Sequence, residues 1–256
     1  MKYLVQVFSS FLAGLGNALL FLGDVVAHIL KGHVRFKEVL RQIYDQGLQS
    51  TFIIALTSFA TGMVLALQAF VVLSRFGAKE NVSELVAWSI VREMGPVFTA
   101  IIFSAKAGAR ITAELGTMSV NDQILATRSM GIDPIEFLIV PRMIACFLVI
   151  PILAIVSEVL GIAGGYVMGT LEANIPGSYY MSHTLKALRY VDFFSGYIKV
   201  FFFAVIVGWT CCYQGFFTTG GSLGVGKFTT RAVSFSIIFV LLSNAVLTKI
   251  IITFWR

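Results

Sequence analysis

Few residues in this 256-residue chain are equipped for chemistry, and most of those lie inside apolar sequence. Arg92 and Glu93 adjoin in a membrane-like stretch and are followed, after Met94, by Gly95-Pro96. An ionisable side chain in hydrocarbon costs about 2.5–3.5 kcal/mol on insertion scales, so it faces protein, a partner charge or a wet cavity. Adjacent helical residues point about 100° apart, so these two need not pair with each other. A structural ion pair to another span and the wall of a substrate cavity both remain open. Pro96 removes a backbone hydrogen bond at the same depth. Glu158, midway along a later apolar run, is open between a protonated or hydrogen-bonded structural carboxyl and a functional one. Lys249 lies near the end of the last apolar run, can snorkel to the interface and needs no function.

Other constellations carry less. Gly221-Ser222-Leu223-Gly224-Val225-Gly226-Lys227 fits G-x-x-x-x-G-K, yet Phe228 stands where Ser or Thr should hold magnesium. The segment also follows an apolar run instead of a strand, so it is not read as an ATP site. His28, His33 and His183 are scattered and form no ligand set, and Cys146, Cys211 and Cys212 sit in apolar runs as buried structural thiols. No catalytic triad, cofactor motif or metal site stands out, and the expectation is a protein that is not an enzyme. The alternatives are an intramembrane lipid-modifying enzyme centred on Arg92, Glu93 and Glu158, and a secondary transporter. The second is weakened because no internal repeat is visible.

The elements that must position these residues are membrane helices. Hydrophobic residues make up 57% of the chain and charged ones only 12%, about half the charged share of a soluble domain. Mean hydropathy is +0.87. Several windows exceed the roughly 18–20 apolar residues that cross about 30 Å of hydrocarbon, and none alternates as a barrel strand would. The expected fold is all-α, with spans at about 50–73, 85–105, 143–171, 197–217 and 232–254. The first alone is long enough for about 36 Å. Gly161, Gly165 and Gly169 recur every four residues in the third span and predict close helix packing or a dimer face.

Residues 1–49 read as an N-terminal interfacial helix and a basic connector, and 50–256 as the five-span domain. Leu4, Phe8, Phe11, Leu15, Leu19, Leu22, Val26 and Ile29 form a stripe, with Gln6, Ser10, Asn17 and Asp24 behind it. That pattern suits a helix lying in the interface, a spanning helix being the alternative. No small-x-small cleavage site follows Lys2, so the segment is expected to be retained. Lys31, Arg35, Lys37 and Arg41 then suit anionic headgroups.

Between the second and third spans lies a polar island, about 106–142. Placing it with the N-terminal region and the 218–231 loop groups Lys2, Lys31, Arg35, Lys37, Arg41, Lys106, Arg110, Arg128, Arg142, Lys227 and Arg231 on one side. Arg75, Lys79, Lys186, Arg189, Lys199 and Arg256 fall opposite, and Arg92 and Lys249 lie within spans. The positive-inside rule makes the island cytoplasmic. The net charge of +6 has no aromatic interleaving and points to no nucleic acid.

The island also carries a signature. Thr112-Ala113-Glu114-Leu115-Gly116-Thr117-Met118, Asp122-Gln123, Met130-Gly131-Ile132-Asp133-Pro134 and Pro141-Arg142 resemble MlaE-type permeases, membrane subunits of ABC transporters that work with MCE lipid carriers. The resemblance extends to Gly62 through Gln68, Arg92 through Pro96, Gly220 through Gly226 and Thr229 through Val233. One departure is Asp122, where the family usually has Glu before Gln.

What the resemblance implies is a homodimer moving phospholipid between the bacterial inner membrane and a periplasmic MCE protein. A separate ATPase, holding ATP and magnesium, would drive it, with a small cytoplasmic STAS-type subunit as accessory. Glu114, Gly116, Met118, Asp122, Gln123, Met130, Gly131, Asp133 and Pro134 would form the coupling segment, with Gly116 and Gly131 punctuating short helices. Leu65, Gln68, Val72, Leu73 and Phe76, with Arg92 and Glu93, would line a lipid pocket at the dimer centre.

Overall fold

The computed structural model describes residues 2–32 and 35–254, with side chains described from residue 16 onward. Among them the chain is all helical. Five helices are long and apolar enough to cross a membrane: Phe36–Arg75, Lys79–Val120, Ile135–Leu171, Tyr190–Phe216 and Gly221–Phe254. The elements are α1 (Lys2–Leu30), α2 (Phe36–Arg75), α3 (Val82–Ser89), α4 (Gly95–Phe103), α5 (Ala109–Val120) and α6 (Gln123–Ser129). They continue as α7 (Val140–Leu171), α8 (Gly177–Ala187), α9 (Tyr190–Phe216) and α10 (Gly221–Phe254).

Much of what reads as loop is helix. The stretch from Phe36 runs without a break into the first span, although 36–49 is polar enough to read as a connector. The second span is a 42-residue rod in which α3, α4 and α5 are joined by the π-helical turns Ile90–Met94 and Ser104–Gly108. Residues 106–120 of the expected island therefore belong to that rod and 135–142 to the next span, so only residues 121–134 form a tip, with α6 between two turns. The glycine-lysine motif is also helical, forming the first turns of α10.

Helices α2 and α7 share the most extensive contact, and small residues explain it. Ile54, Ser58, Gly62, Ala66 and Ala69 form the buried edge of α2. A Cβ on Gly62 would lie 1.8 Å from the Gly161 carbonyl oxygen, and one on Gly164 would lie 2.1 Å from that of Phe59. Ser58 Oγ and Ser157 Oγ hydrogen-bond across the seam at 2.7 Å. In lipid, where apolar burial drives little, backbone proximity and polar contacts hold helices together. The glycine ladder thus serves packing within the chain: Gly161 meets α2, and Gly169 lies under the Tyr180 ring of α8.

The main core lies between α4, α5, α7 and α9, around Phe103, Leu115, Ile139, Ile150 and Phe203. A smaller cluster at the other end surrounds Tyr180, with Ala66, Val82, Val86 and Ile175. Helix α10 buries only Gly224, Ala232, Ser236 and Val240, so most of it is left for lipid or a partner.

The apolar stripe of helix α1 is divided: Leu22 and Ile29 pack against the core, and Leu19 and Val26 are left outward. Leu4, Phe8, Phe11 and Leu15 lie outside the described side chains. Further along, Ala18, Phe21 and Val25 are buried while Leu19 and Val26 are exposed. Phe21 packs against the rings of Tyr213 and Phe216, and small Ala18 lets the Trp209 indole N–H reach its carbonyl at 2.9 Å.

Candidate functional site

The π turn at Ile90–Met94 and the proline behind it build the polar centre of the protein. In a regular helix the amide of residue 96 would bond the Arg92 carbonyl, and proline has none to offer. The Lys199 ammonium of α9 donates to that carbonyl instead, at 3.0 Å. Helix α9 comes this close because of Gly196, where a Cβ would stand 2.4 Å from the Val91 carbonyl oxygen. Asp192 and Lys199, about one turn on either side of Gly196, then meet Arg92 and Glu93.

Two ion pairs result. Arg92 donates through Nε (2.7 Å) and Nη2 to Asp192 Oδ1, and the Arg189 backbone N–H donates to Asp192 Oδ2 at 3.0 Å. Lys199 Nζ donates to Glu93 Oε1 at 2.6 Å and to Thr248 Oγ1 at 2.7 Å. Asn244 Nδ2 donates to Glu93 Oε2 at 3.0 Å. The network joins the second, fourth and fifth spans. Asp192 and Lys199 are buried, but the Arg92 side chain keeps 49% of its exposure and Glu93 33%, so the centre still reaches a surface.

Of the readings left open for Arg92 and Glu93, the structure therefore realises the ion pair to another span. Asp192, Lys199, Asn244 and Thr248 were missed from the sequence. Grouping Lys199 with the opposite loops does not fit even a fourth span at 197–217, which contains it; the helix begins at Tyr190 and sets it well inside. The correction takes one charge from the less basic side and leaves the orientation as it was. Glu158 is buried against Gly95, and neither of its carboxyl oxygens has a hydrogen-bond partner.

The residues proposed to line a lipid pocket divide into two groups within one chain. Gln68 and Val72 are exposed on α2 and Phe76 just past its C-terminal end, while Leu65 and Leu73 rest partly on the small cluster near Tyr180. Arg92 and Glu93 belong to the network on α9 and α10. Beside Gln68 and Val72, Val64 is also uncovered, so this part of α2 presents a bare apolar face.

The coupling residues also divide. Asp122 takes a left-handed conformation (φ 57°) at the turn after α5, Gln123 opens α6, and both are exposed. Met130 is 69% exposed and Leu125, which sequence reasoning passed over, 60%. Gly131 ends α6 with φ 76°, a conformation that favours glycine. Gly116 does not punctuate a helix: it lies inside α5, where a Cβ would meet Thr218 Oγ1 at 3.0 Å. Pro134 is buried. Asp133 accepts the Ile135 amide at 2.8 Å and pairs with His28 Nε2 of α1 at 3.1 Å. Met118 and Glu114 line a cavity beside α2. Glu114 accepts from Arg110 Nε at 2.8 Å and meets Arg142 Nη2 at 3.4 Å.

Of the remaining candidates, Cys146, Cys211 and Cys212 are buried free thiols, as expected. No cluster of metal-binding side chains occurs among the described residues.

Comparison with known proteins accounts for this arrangement. The family described as Permease MlaE matches residues 39–250. A probable ABC transporter permease protein of Rickettsia typhi is 35% identical over 94% of this chain and 93% of its own length. The intermembrane phospholipid transport system permease protein MlaE of Haemophilus influenzae is 36% identical over 84% of this chain and 83% of its own. The chloroplastic protein trigalactosyldiacylglycerol 1 of Arabidopsis thaliana is 34% identical over 89% of this chain and 65% of its own. With five spans, a polar centre at the π turn and a signature tip between the second and third spans, the chain belongs to the MlaE permease family and is a multi-pass membrane transport protein.

Proposed function

We propose that the chain is the permease subunit of an ABC transporter that moves phospholipid between the bacterial inner membrane and a periplasmic MCE carrier. ATP and magnesium are bound by a separate ATPase, and two copies of this chain form the transport unit, with a STAS-type subunit on the cytoplasmic side. The observation that carries the reading is mechanical. The exposed tip, with Leu125 and Met130 uncovered, ends the same 42-residue rod that carries Arg92 and Glu93. A rod of that length spans about 60 Å, so a push on the tip is delivered to the polar centre across the membrane.

Asp122, Gln123, Leu125 and Met130 supply the outward surface of the coupling segment, held in place by Glu114, Gly116, Met118, Gly131, Asp133 and Pro134. The bare face of α2 at Gln68, Val72 and Phe76, flanked by Leu65 and Leu73, receives acyl chains between two copies. Arg92 and Glu93 form the charged end of that space. Purification in mild detergent tests the proposal. Co-isolation of an ABC ATPase, an MCE-domain protein and phospholipid is expected, whereas lipid turnover by the chain alone without nucleotide would overturn it in favour of an enzyme.

A further inference from the structure

We propose that the cavity between the N-terminal half of α2, α5 and the first turn of α7 binds the headgroup of a zwitterionic phosphoglyceride from the cytoplasmic leaflet. This deepens the proposed function, on whose phospholipid-handling reading its physiological role rests, and it adds a second lipid site far from the bare face of α2. The cavity measures about 370 Å³ and is lined by Glu38, Arg41, Gln42, Asp45, Glu114 and Arg142, over an apolar floor. That volume lies within the ~300–1,000 Å³ usual for small-molecule sites.

The charges around it are unevenly satisfied. Asp45 meets Arg110 at 3.5 Å and Glu114 holds Arg110 and Arg142, so those two carboxylates are engaged. Arg142 is 6% exposed; it donates from Nη1 to the Leu138 carbonyl, and its Nε is buried with no partner. A buried polar group left unbonded costs free energy, and a guanidinium most of all. Among the described residues Arg41 and Glu38 take part in no ion pair or side-chain hydrogen bond. A buried guanidinium in the wall, one free cation and one free carboxylate thus border one space. A phosphodiester accepts from the free Arg41 guanidinium, while the Arg142 charge in the wall adds electrostatic attraction. An ammonium a few ångströms further on donates to Glu38.

The surroundings identify a lipid as the source. The α2 segment is amphipathic in the inverted sense: Glu38, Gln42 and Asp45 face the cavity, while Leu40, Tyr44 and Leu48 are exposed on the outer side. At about 100° per residue Arg41 lies on the border between the two faces. A headgroup held inside places its acyl chains along Leu40, Tyr44 and Leu48, an apolar surface for which free phosphate has no use. Acidic headgroups without an ammonium leave Glu38 unmet and meet three carboxylates.

The test uses the intact transporter complex in detergent, titrated separately with dihexanoyl phosphatidylethanolamine, dihexanoyl phosphatidylglycerol and inorganic phosphate, binding being read by native mass spectrometry. Arg41→Gln and Glu38→Gln lie on the rim, and unchanged melting temperatures verify their folding. The ethanolamine lipid is expected to bind best. Arg41→Gln weakens it about tenfold, the loss of one charge-assisted hydrogen bond, and Glu38→Gln abolishes its preference over the glycerol lipid. Equal binding of inorganic phosphate would overturn the lipid source. Equal binding of the two lipids by the wild type, or unchanged binding in both variants, would overturn the site. Transport assayed in parallel separates the two readings, because failure of the site with transport intact leaves the proposed function standing.

Discussion

Lys199 Nζ lies 2.6 Å from Glu93 Oε1, although 106 residues separate them in the chain. Lys199 also donates to the Arg92 carbonyl, to which Pro96 has no amide to offer. One ammonium therefore binds a carbonyl of the π turn and neutralises the carboxylate beside it. The relationship is asymmetric, because Lys199 is buried while Glu93 is a third exposed.

That asymmetry predicts the outcome of mutation. Glu93→Gln leaves a buried ammonium without its counter-charge, at a cost of about 3–5 kcal/mol. Adding Lys199→Met removes the stranded charge and recovers part of the loss. Thermal denaturation in detergent should rank the double variant above Glu93→Gln, and independent, additive effects would contradict the pairing.

Gly196 sets the distance between α9 and the π turn. Gly196→Val is expected to push α9 away from Val91 and loosen both ion pairs, lowering stability by about 1–3 kcal/mol. Cysteine cross-linking between positions 92 and 192 should then become slower than in the parent. An unchanged rate and melting temperature would show that the close approach is dispensable.

Phe76 and Arg92 should part company when mutated, although both are assigned to the lipid pocket. Phe76 is 79% exposed, so Phe76→Asp is expected to reduce co-purified phospholipid while leaving the melting temperature nearly unchanged. Arg92→Ala removes the counter-charge of buried Asp192 and should lower both lipid content and melting temperature. Mass spectrometry of bound lipid together with thermal unfolding checks the pair, and full lipid occupancy in Phe76→Asp would end the assignment of this face.

Glu114 is tied within the chain, so Glu114→Lys would add a cation beside Arg110 and Arg142 instead of only altering a docking surface. That variant is expected to lose ATPase association and transport through a displaced α5. Glu114→Gln should keep the fold, since glutamine still accepts one guanidinium hydrogen bond, and retain part of the ATPase association seen in pull-downs. Equal association by both variants would remove Glu114 from the coupling apparatus.

The five spans and the signature tip were legible because apolar run length and short motifs are local properties of sequence. The polar centre was half legible. Arg92, Glu93 and Pro96 stood out as charge and helix breaker inside a span, but Asp192 lay before the expected start of the fourth span and Lys199 only two residues into it, where both read as flanking charges. Their importance depends on Gly196 bringing α9 against the π turn, a contact between spans that periodicity does not encode. The helical stretch 36–49 was hidden by its mixed polarity: Val39 and Gln46 are buried, Glu38 and Asp45 line the cavity, and Leu40, Tyr44 and Leu48 face outward. Gly116 read as a break, whereas it is a gap for Thr218.

The central claim is that force applied at the tip drives lipid movement at the polar centre. The most direct test is ATP-dependent transfer of labelled phospholipid between proteoliposomes containing the complete complex and its soluble carrier, comparing the parent with Leu125→Asp/Met130→Asp. Both residues are exposed, so folding should survive. The account predicts ATP-dependent transfer in the parent, and loss of both transfer and ATPase association in the variant with melting temperature intact. Transfer at the parental rate in the variant, or transfer by the parent without ATP, would contradict it.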